Sequence, residues 1–218
     1  MGSMNELENK QVLVVGVAGA SGSGKSLFTR RVCGELKEKF QIEAQVIEED
    51  SYYRDQSQID FETRCKVNYD HPDAFEHELL VGHLDRWKKR QEVEIPIYDY
   101  STHNRSVETK TINIGTILMV EGILVLHDIV LRSQMDVKLF VDVPLEECLS
   151  RRMDRDIKER GRDEESVRNQ FESMVIPMFK KFVEPSKRYA DLLVTTGGEN
   201  DVAVKMVAAG LASKISEV

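Results

Sequence analysis

Eight consecutive residues, Gly19-Ala20-Ser21-Gly22-Ser23-Gly24-Lys25-Ser26, combine glycines, a lysine and a hydroxyl in an order suited to holding a polyphosphate. They match G-x-x-x-x-G-K-[ST] at every required position. The glycines let the backbone curl until successive N–H groups point at phosphate oxygens, and a helix N-terminus behind the loop adds its positive dipole end. Lys25 would then reach the β- and γ-phosphates, and Ser26 would place its hydroxyl on the Mg²⁺ that bridges them. Moving a phosphoryl group also needs a second metal-facing oxygen, a base for an acceptor hydroxyl and positive charge over the group in flight. Glu121, ending an apolar run, suits the metal; Asp50, ending another, suits the base. Arg151, Arg152, Arg155, Arg160 and Arg162 fall within twelve residues, with Gly161 as a hinge, and read as a lid over the phosphates. The same arginines could instead form a solvated helix face paired with Asp154, Asp156 and Glu159.

Elements able to position these groups are visible in the apolar spacing. Val12 to Val17 forms a β-branched run before the loop, and Phe28, Val32, Leu36 and Phe40 recur at helical spacing after it. Ala44 to Ile47 is a second strand, so the order is strand, helix, strand, which requires a parallel sheet with ligands outside the carboxyl ends of its strands. Thr116 to Val120 is a buried strand leading into Glu121-Gly122, and Lys138 to Val143 and Asp191 to Val194 are two more. Residues 54–70 are polar and aperiodic. Pro72 suits the first position of a helix carrying Leu80, Leu84 and Trp87. Val93, Ile95 and Ile97, then Val107 to Ile114, alternate, which predicts an inserted hairpin over 91–114 joined through Tyr98 to Arg105. A helix begins near Pro144, and another carries Val167, Phe171, Val175, Phe179 and Phe182, with a kink at Pro177. The last helix has Val204, Val207, Leu211 and Ile215 on one side. The fold class is therefore α/β: one domain over 1–218, with a parallel sheet flanked by helices, an inserted β-hairpin and an arginine-rich lid over 151–170.

Composition narrows the partners. Thirty basic against 38 acidic residues give a net charge of −8, which argues against a general nucleic-acid binder. Three isolated cysteines, Cys33, Cys65 and Cys148, suggest neither a disulfide framework nor a cysteine metal site. No apolar run approaches the ~20 residues of a membrane span, and no signal-peptide layout is present, so a cytoplasmic location is expected. Met1-Gly2-Ser3 ahead of Met4 resembles an expression-vector remnant and is set aside.

From the loop to about Asn200 the chain resembles the uridine–cytidine kinases, a group of P-loop nucleoside kinases. The resemblance rests on Asp50-Ser51-Tyr52-Tyr53, Asn68 to Phe75, Pro96 to Tyr100 with His103-Asn104-Arg105, Glu121-Gly122-Ile123-Leu124, Glu159-Arg160-Gly161-Arg162-Asp163 and Glu184-Pro185-Ser186. It implies transfer of the γ-phosphate of ATP or GTP to the 5′-hydroxyl of uridine or cytidine for pyrimidine salvage. In this likeness Asp50 is the catalytic base, Ser26 and Glu121 are the magnesium residues, and Asp70 accepts from both hydroxyls of the ribose cis-diol. Tyr53, Tyr98 and His103 line the pyrimidine pocket, Arg155 and Gln170 add nucleoside contacts, and Arg152, Arg160 and Arg162 clamp phosphate. A neutral His103 ring can donate to the uracil carbonyl or accept from the cytosine amine. Read from spacing alone, Asp70 is equally a turn residue. The turn Thr195 to Asn200 lacks an arginine that many relatives carry, which leaves both donors open. The likeness also implies a homotetramer. Alternatives are a kinase for pantothenate or ribulose phosphate, and a nucleotide switch; the latter lacks an Asn-Lys-x-Asp motif, since Asn9-Lys10-Gln11 is followed by Val12.

Overall fold

The computed structural model describes residues 12–216, with the side chains of 159 and 160 left aside; Met1-Gly2-Ser3 lies outside this range. Strand β1 (Leu13–Gly19) runs into the glycine loop and helix α1 (Lys25–Phe40), and β2 (Ala44–Glu48) follows. A 3₁₀ turn (Glu49–Tyr52) and a short helix α2 (Phe61–Arg64) lead to a second 3₁₀ turn (Pro72–Ala74) and helix α3 (His77–Lys88). The hairpin is β3 (Val93–Asp99) with β4 (Asn104–Ile112), paired antiparallel. Then come β5 (Ile117–Gly122), α4 (Ile129–Ser133), β6 (Val137–Asp142), α5 (Leu145–Arg160) and α6 (Glu164–Gln170). After α6 lie two π-helical stretches (Phe171–Val175, Phe179–Val183) around α7 (Ile176–Met178), a 3₁₀ stretch (Glu184–Tyr189), β7 (Leu192–Thr195) and α8 (Asp201–Ser216).

The main sheet is parallel, in the order β2-β5-β1-β6-β7. Strand β1 is apolar at every position and β5 up to Glu121, because both faces of the sheet are covered. Val14 and Ala18 of β1 and Leu118 and Val120 of β5 meet Leu80, Leu84 and Trp87 of α3 and Val93 and Ile95 of the hairpin. The alternate residues Leu13, Val15, Val17, Ile117 and Met119 face Phe28, Val32 and Leu36 of α1 and Val204, Val207 and Leu211 of α8. Phe40, at the end of α1, is exposed. Among the described residues no helix is long and apolar enough to cross a membrane.

Three boundaries differ from expectation for physical reasons. The helix expected from Pro72 is interrupted: Glu76 N–H donates to the Tyr52 carbonyl and Arg54 N–H to the Ala74 carbonyl, both at 2.8 Å. Phe75 is extended there and bridges to Tyr53, so the backbone is committed to a ladder and α3 starts only at His77. The hairpin strands run further than their alternation suggests, and only Tyr100 to His103 form the turn. Pro177 sits in the short α7 between two π-helical stretches, whose wider turns accommodate the missing N–H. Arg151 belongs to one continuous helix, α5, closed by Gly161 in the left-handed conformation at φ 63°.

The start of β1 is fixed from β6. The Asp136 carboxylate accepts from Val14 N–H at 2.8 Å, and the Asp136 N–H donates to the Val14 carbonyl at 2.8 Å. Asp136→Ala would leave the buried Val14 N–H unpaired, and urea unfolding is expected to show a loss of about 1–3 kcal/mol. A loss under 0.5 kcal/mol would show that Val14 finds another acceptor.

Candidate active site

The glycine loop has the backbone its sequence asks for. Gly22 and Gly24 lie at φ 86° and 85°, where side chains are strained, and a Cβ on Gly22 would fall 2.2 Å from the Cys148 carbonyl oxygen. Gly24 precedes α1 with no side-chain cap, so the first N–H groups of the helix remain available for an anion. Arg151 Nη1 donates to the Ser23 carbonyl at 3.2 Å and Nη2 to the Thr196 carbonyl at 3.4 Å. Arg151 therefore ties the loop to the turn after β7 and stands apart from any lid.

Carboxylates gather at the adjoining ends of β2 and β5. Ser26 Oγ donates to Glu121 Oε1 at 2.6 Å, bringing the two expected magnesium residues into contact. Burial pushes the Glu121 carboxyl above its ordinary range, while the Lys25 charge and the Ser26 hydrogen bond pull it back. Glu48 is the register partner of Glu121, so Asp50 emerges beside it on the 3₁₀ turn. The Tyr100 hydroxyl donates to Asp50 Oδ2 at 2.7 Å. Asp70 is also pushed up by burial, opposed by the Arg152 charge and raised further by Asp50. The oxygen donors of Ser26 and Glu121 fit a hard cation. Among the described residues no group of three or more His, Cys, Asp or Glu side chains is placed to hold a metal ion by itself.

Three of the arginines surround one acid. Asp156 is fully buried; its carboxylate accepts from Arg155 Nε at 3.0 Å and lies 3.4 Å from Arg162 Nη1 and 3.6 Å from Arg152 Nε. Gln170 Oε1 accepts from Arg152 Nη2 at 3.0 Å and from Arg162 Nη1 at 2.6 Å, and Arg152 Nη1 donates to Ser21 Oγ at 3.0 Å. Arg152 thus reaches the loop and is joined to Arg162 through Gln170 and Asp156. Arg155 and Gln170, the expected nucleoside contacts, both lie in this cluster. The Arg160 side chain lies outside the described residues.

Aromatic side chains from the turn and the hairpin cluster around Tyr53. The Tyr53 ring lies 4.5 Å from Phe75, 4.8 Å from Tyr98 and 5.0 Å from Tyr69. His103 occupies the hairpin tip at φ 51° with its ring stacked on Tyr69 at 5.7 Å and 23°.

With this geometry in view, comparison with known proteins is decisive. A family model described as the phosphoribulokinase / uridine kinase family matches residues 14–203. The chain belongs to that family. It is 46% identical over 206 residues to the uridine kinase of Vibrio campbellii, covering 94% of this chain and 97% of that protein. It is 47% identical over 210 residues to the uridine kinase of Yersinia pestis, covering 95% and 96%. The solved phosphoribulokinase of Rhodobacter spheroides shares the fold at a TM-score of 0.63 and 15% identity, covering 86% of this chain and 71% of that one.

Three residues of this arrangement escape a reading by residue type: Glu49, Tyr69 and Tyr100, the last two lying inside motifs without a role. Asp156 pairs with Arg152 at i,i+4 as its spacing suggests, but buried rather than on a solvated face. His83 Nδ1 lies 2.8 Å from the Tyr52 hydroxyl, and the His71 and His127 rings pack edge-on against Phe182. Asp156→Asn should cost about 3 kcal/mol in urea unfolding, because it leaves closely spaced guanidiniums without their shared counter-charge. A variant as stable as the parent would show that these arginines repack into solvent.

Proposed function

We propose that this chain transfers the γ-phosphate of ATP or GTP to the 5′-hydroxyl of uridine and cytidine. The observation that carries the reading is that the charges of Asp50 and Lys25 act on both Asp70 and Glu121, that Glu121 accepts from Ser26, and that Asp50 and Asp70 both act on Tyr53 of the aromatic cluster. High identity to uridine kinases supports the acceptor. Asp50 takes the proton from the 5′-hydroxyl as the hydroxyl oxygen attacks the γ-phosphorus and the bond from that phosphorus to the β-phosphate oxygen breaks, releasing the nucleoside diphosphate. Lys25 and the guanidiniums of Arg152, Arg160 and Arg162 carry the charge of the transferring group. Ser26 and Glu121 would hold magnesium, which would neutralise charge at the phosphates. Asp70 receives the two ribose hydroxyls, and Tyr53, Tyr98 and His103 hold the pyrimidine. Arg105, the hairpin cation nearest the tip, is paired with Glu76 at 2.7 Å, which disfavours an acceptor bearing its own phosphate. A cytoplasmic homotetramer is the expected setting.

The first test is product formation with MgATP and uridine, cytidine, thymidine or adenosine, resolved by chromatography. Uridine and cytidine alone should yield monophosphates, and Asp50→Asn should lower kcat by about 10²–10⁴-fold. Phosphorylation of no nucleoside by folded protein would end the acceptor assignment. Chelation with EDTA should abolish turnover, and Glu121→Gln should raise the magnesium concentration needed to restore it by about tenfold.

A pH profile tests Asp70. Its raised carboxyl must be ionised to receive two hydroxyls, so kcat/KM for the nucleoside should fall as pH drops through a value above the ordinary 3.8. Arg152 opposes that rise, so Arg152→Gln should move the acid limb to higher pH. A limb that stays in place would remove Asp70 from the nucleoside site.

A further inference from the structure

The transfer chemistry leaves one buried carboxylate unused. Glu49, immediately before Asp50, is fully buried, and a buried carboxylate is costly unless its oxygens are hydrogen-bonded. Both are. Glu49 Oε2 accepts from Leu124 N–H at 2.9 Å, and Oε1 lies 2.8 Å from His77 Nε2. These contacts join the turn carrying Asp50, the loop that follows Glu121-Gly122, and the first residue of α3.

Gly122 is a glycine for the sake of this contact. Its φ lies outside the left-handed region, so no dihedral requires it. A Cβ built there would fall 2.1 Å from Glu49 Oε2 and 2.2 Å from Glu49 Cβ, so any side chain after Glu121 would expel the carboxylate. Burial alone would push the His77 imidazolium below its ordinary value; the hydrogen bond and charge of Glu49 more than reverse this. The His77 ring also stacks on Phe75 at 5.3 Å and 20°, and Phe75 contacts Tyr53.

We propose that Glu49 is a positioning residue for phosphoryl transfer: with His77 it clamps the turn bearing Asp50 to the loop after Glu121, fixing the spacing between base and metal carboxylate. The inference rests on the reading of Asp50 as the base. A displacement of about 1 Å between reacting groups can cost on the order of 10²-fold in rate, which sets the scale of the effect.

The test is a mutant cycle in steady-state kinetics, with Glu49→Gln made in the parent and in an Asp50→Asn background, and melting temperatures followed throughout. Expected are a fall in kcat of about 10- to 100-fold in the parent, KM values for nucleoside and MgATP within about threefold, and a change under about threefold once Asp50 is gone. Equal losses in both backgrounds, or kcat within twofold of the parent, would overturn the proposal. Should Glu49→Gln fail to fold, His77→Gln closes the same cycle. The acceptor used is whichever one the parent phosphorylates, so failure with uridine counts against the acceptor alone. An Asp50→Asn variant as active as the parent overturns the base assignment, and this inference with it.

Discussion

Parallel register between β2, β5 and β1 is the constraint on which the site depends. Val17 lies opposite Glu121 on one side of β5 and Glu48 lies opposite it on the other, so the glycine loop, Glu121 and the turn carrying Asp50 leave the sheet at one level. A slip of one residue would exchange the two faces of a strand. Here that would move Val120 to the opposite core and turn Glu121 away from Ser26. Burial of both faces thus fixes the positions of charged groups that themselves oppose burial.

Buried acids then organise what the sheet delivers. Asp156 gathers three guanidiniums that would otherwise repel one another, and Gln170 shares two of them, so Arg152, which reaches Ser21 of the loop, is tied to Arg162 by protein contacts alone. Such preorganisation lowers the reorganisation needed when charge develops on a transferring group. Glu49 plays a comparable part on the acceptor side, where it joins elements distant in the chain. In both places an acid with no contact to the reacting atoms sets the geometry of residues expected to make that contact.

Much of the fold was legible because its signals are local. The loop motif, the apolar runs of β1 and β5, the helical spacing in α1 and α8 and the alternation in the hairpin each lie within a short window. The positions of Asp50 and Glu121 followed from strand ends alone. The ladder that halts the helix at Phe75 was hidden, because the competing partner, Tyr52 to Arg54, is about twenty residues away. Glu49 was hidden for the same reason: it meets His77 and Leu124 across 28 and 75 positions. No periodicity reports such contacts, and a glutamate beside a candidate base looks like any surface acid until Gly122 is seen to make room for it. Asp70 needed family likeness, since its spacing fits a turn equally well.

Under the proposed function, an acceptor hydroxyl would meet an Asp50 carboxylate that already accepts a phenol at Oδ2. A carboxylate has room for a further donor, so the Tyr100 contact would hold its orientation rather than compete with the acceptor. Tyr100 lies in the hairpin turn that also carries His103, so the orientation of the reacting carboxylate and the position of the hairpin tip would be coupled through one phenol.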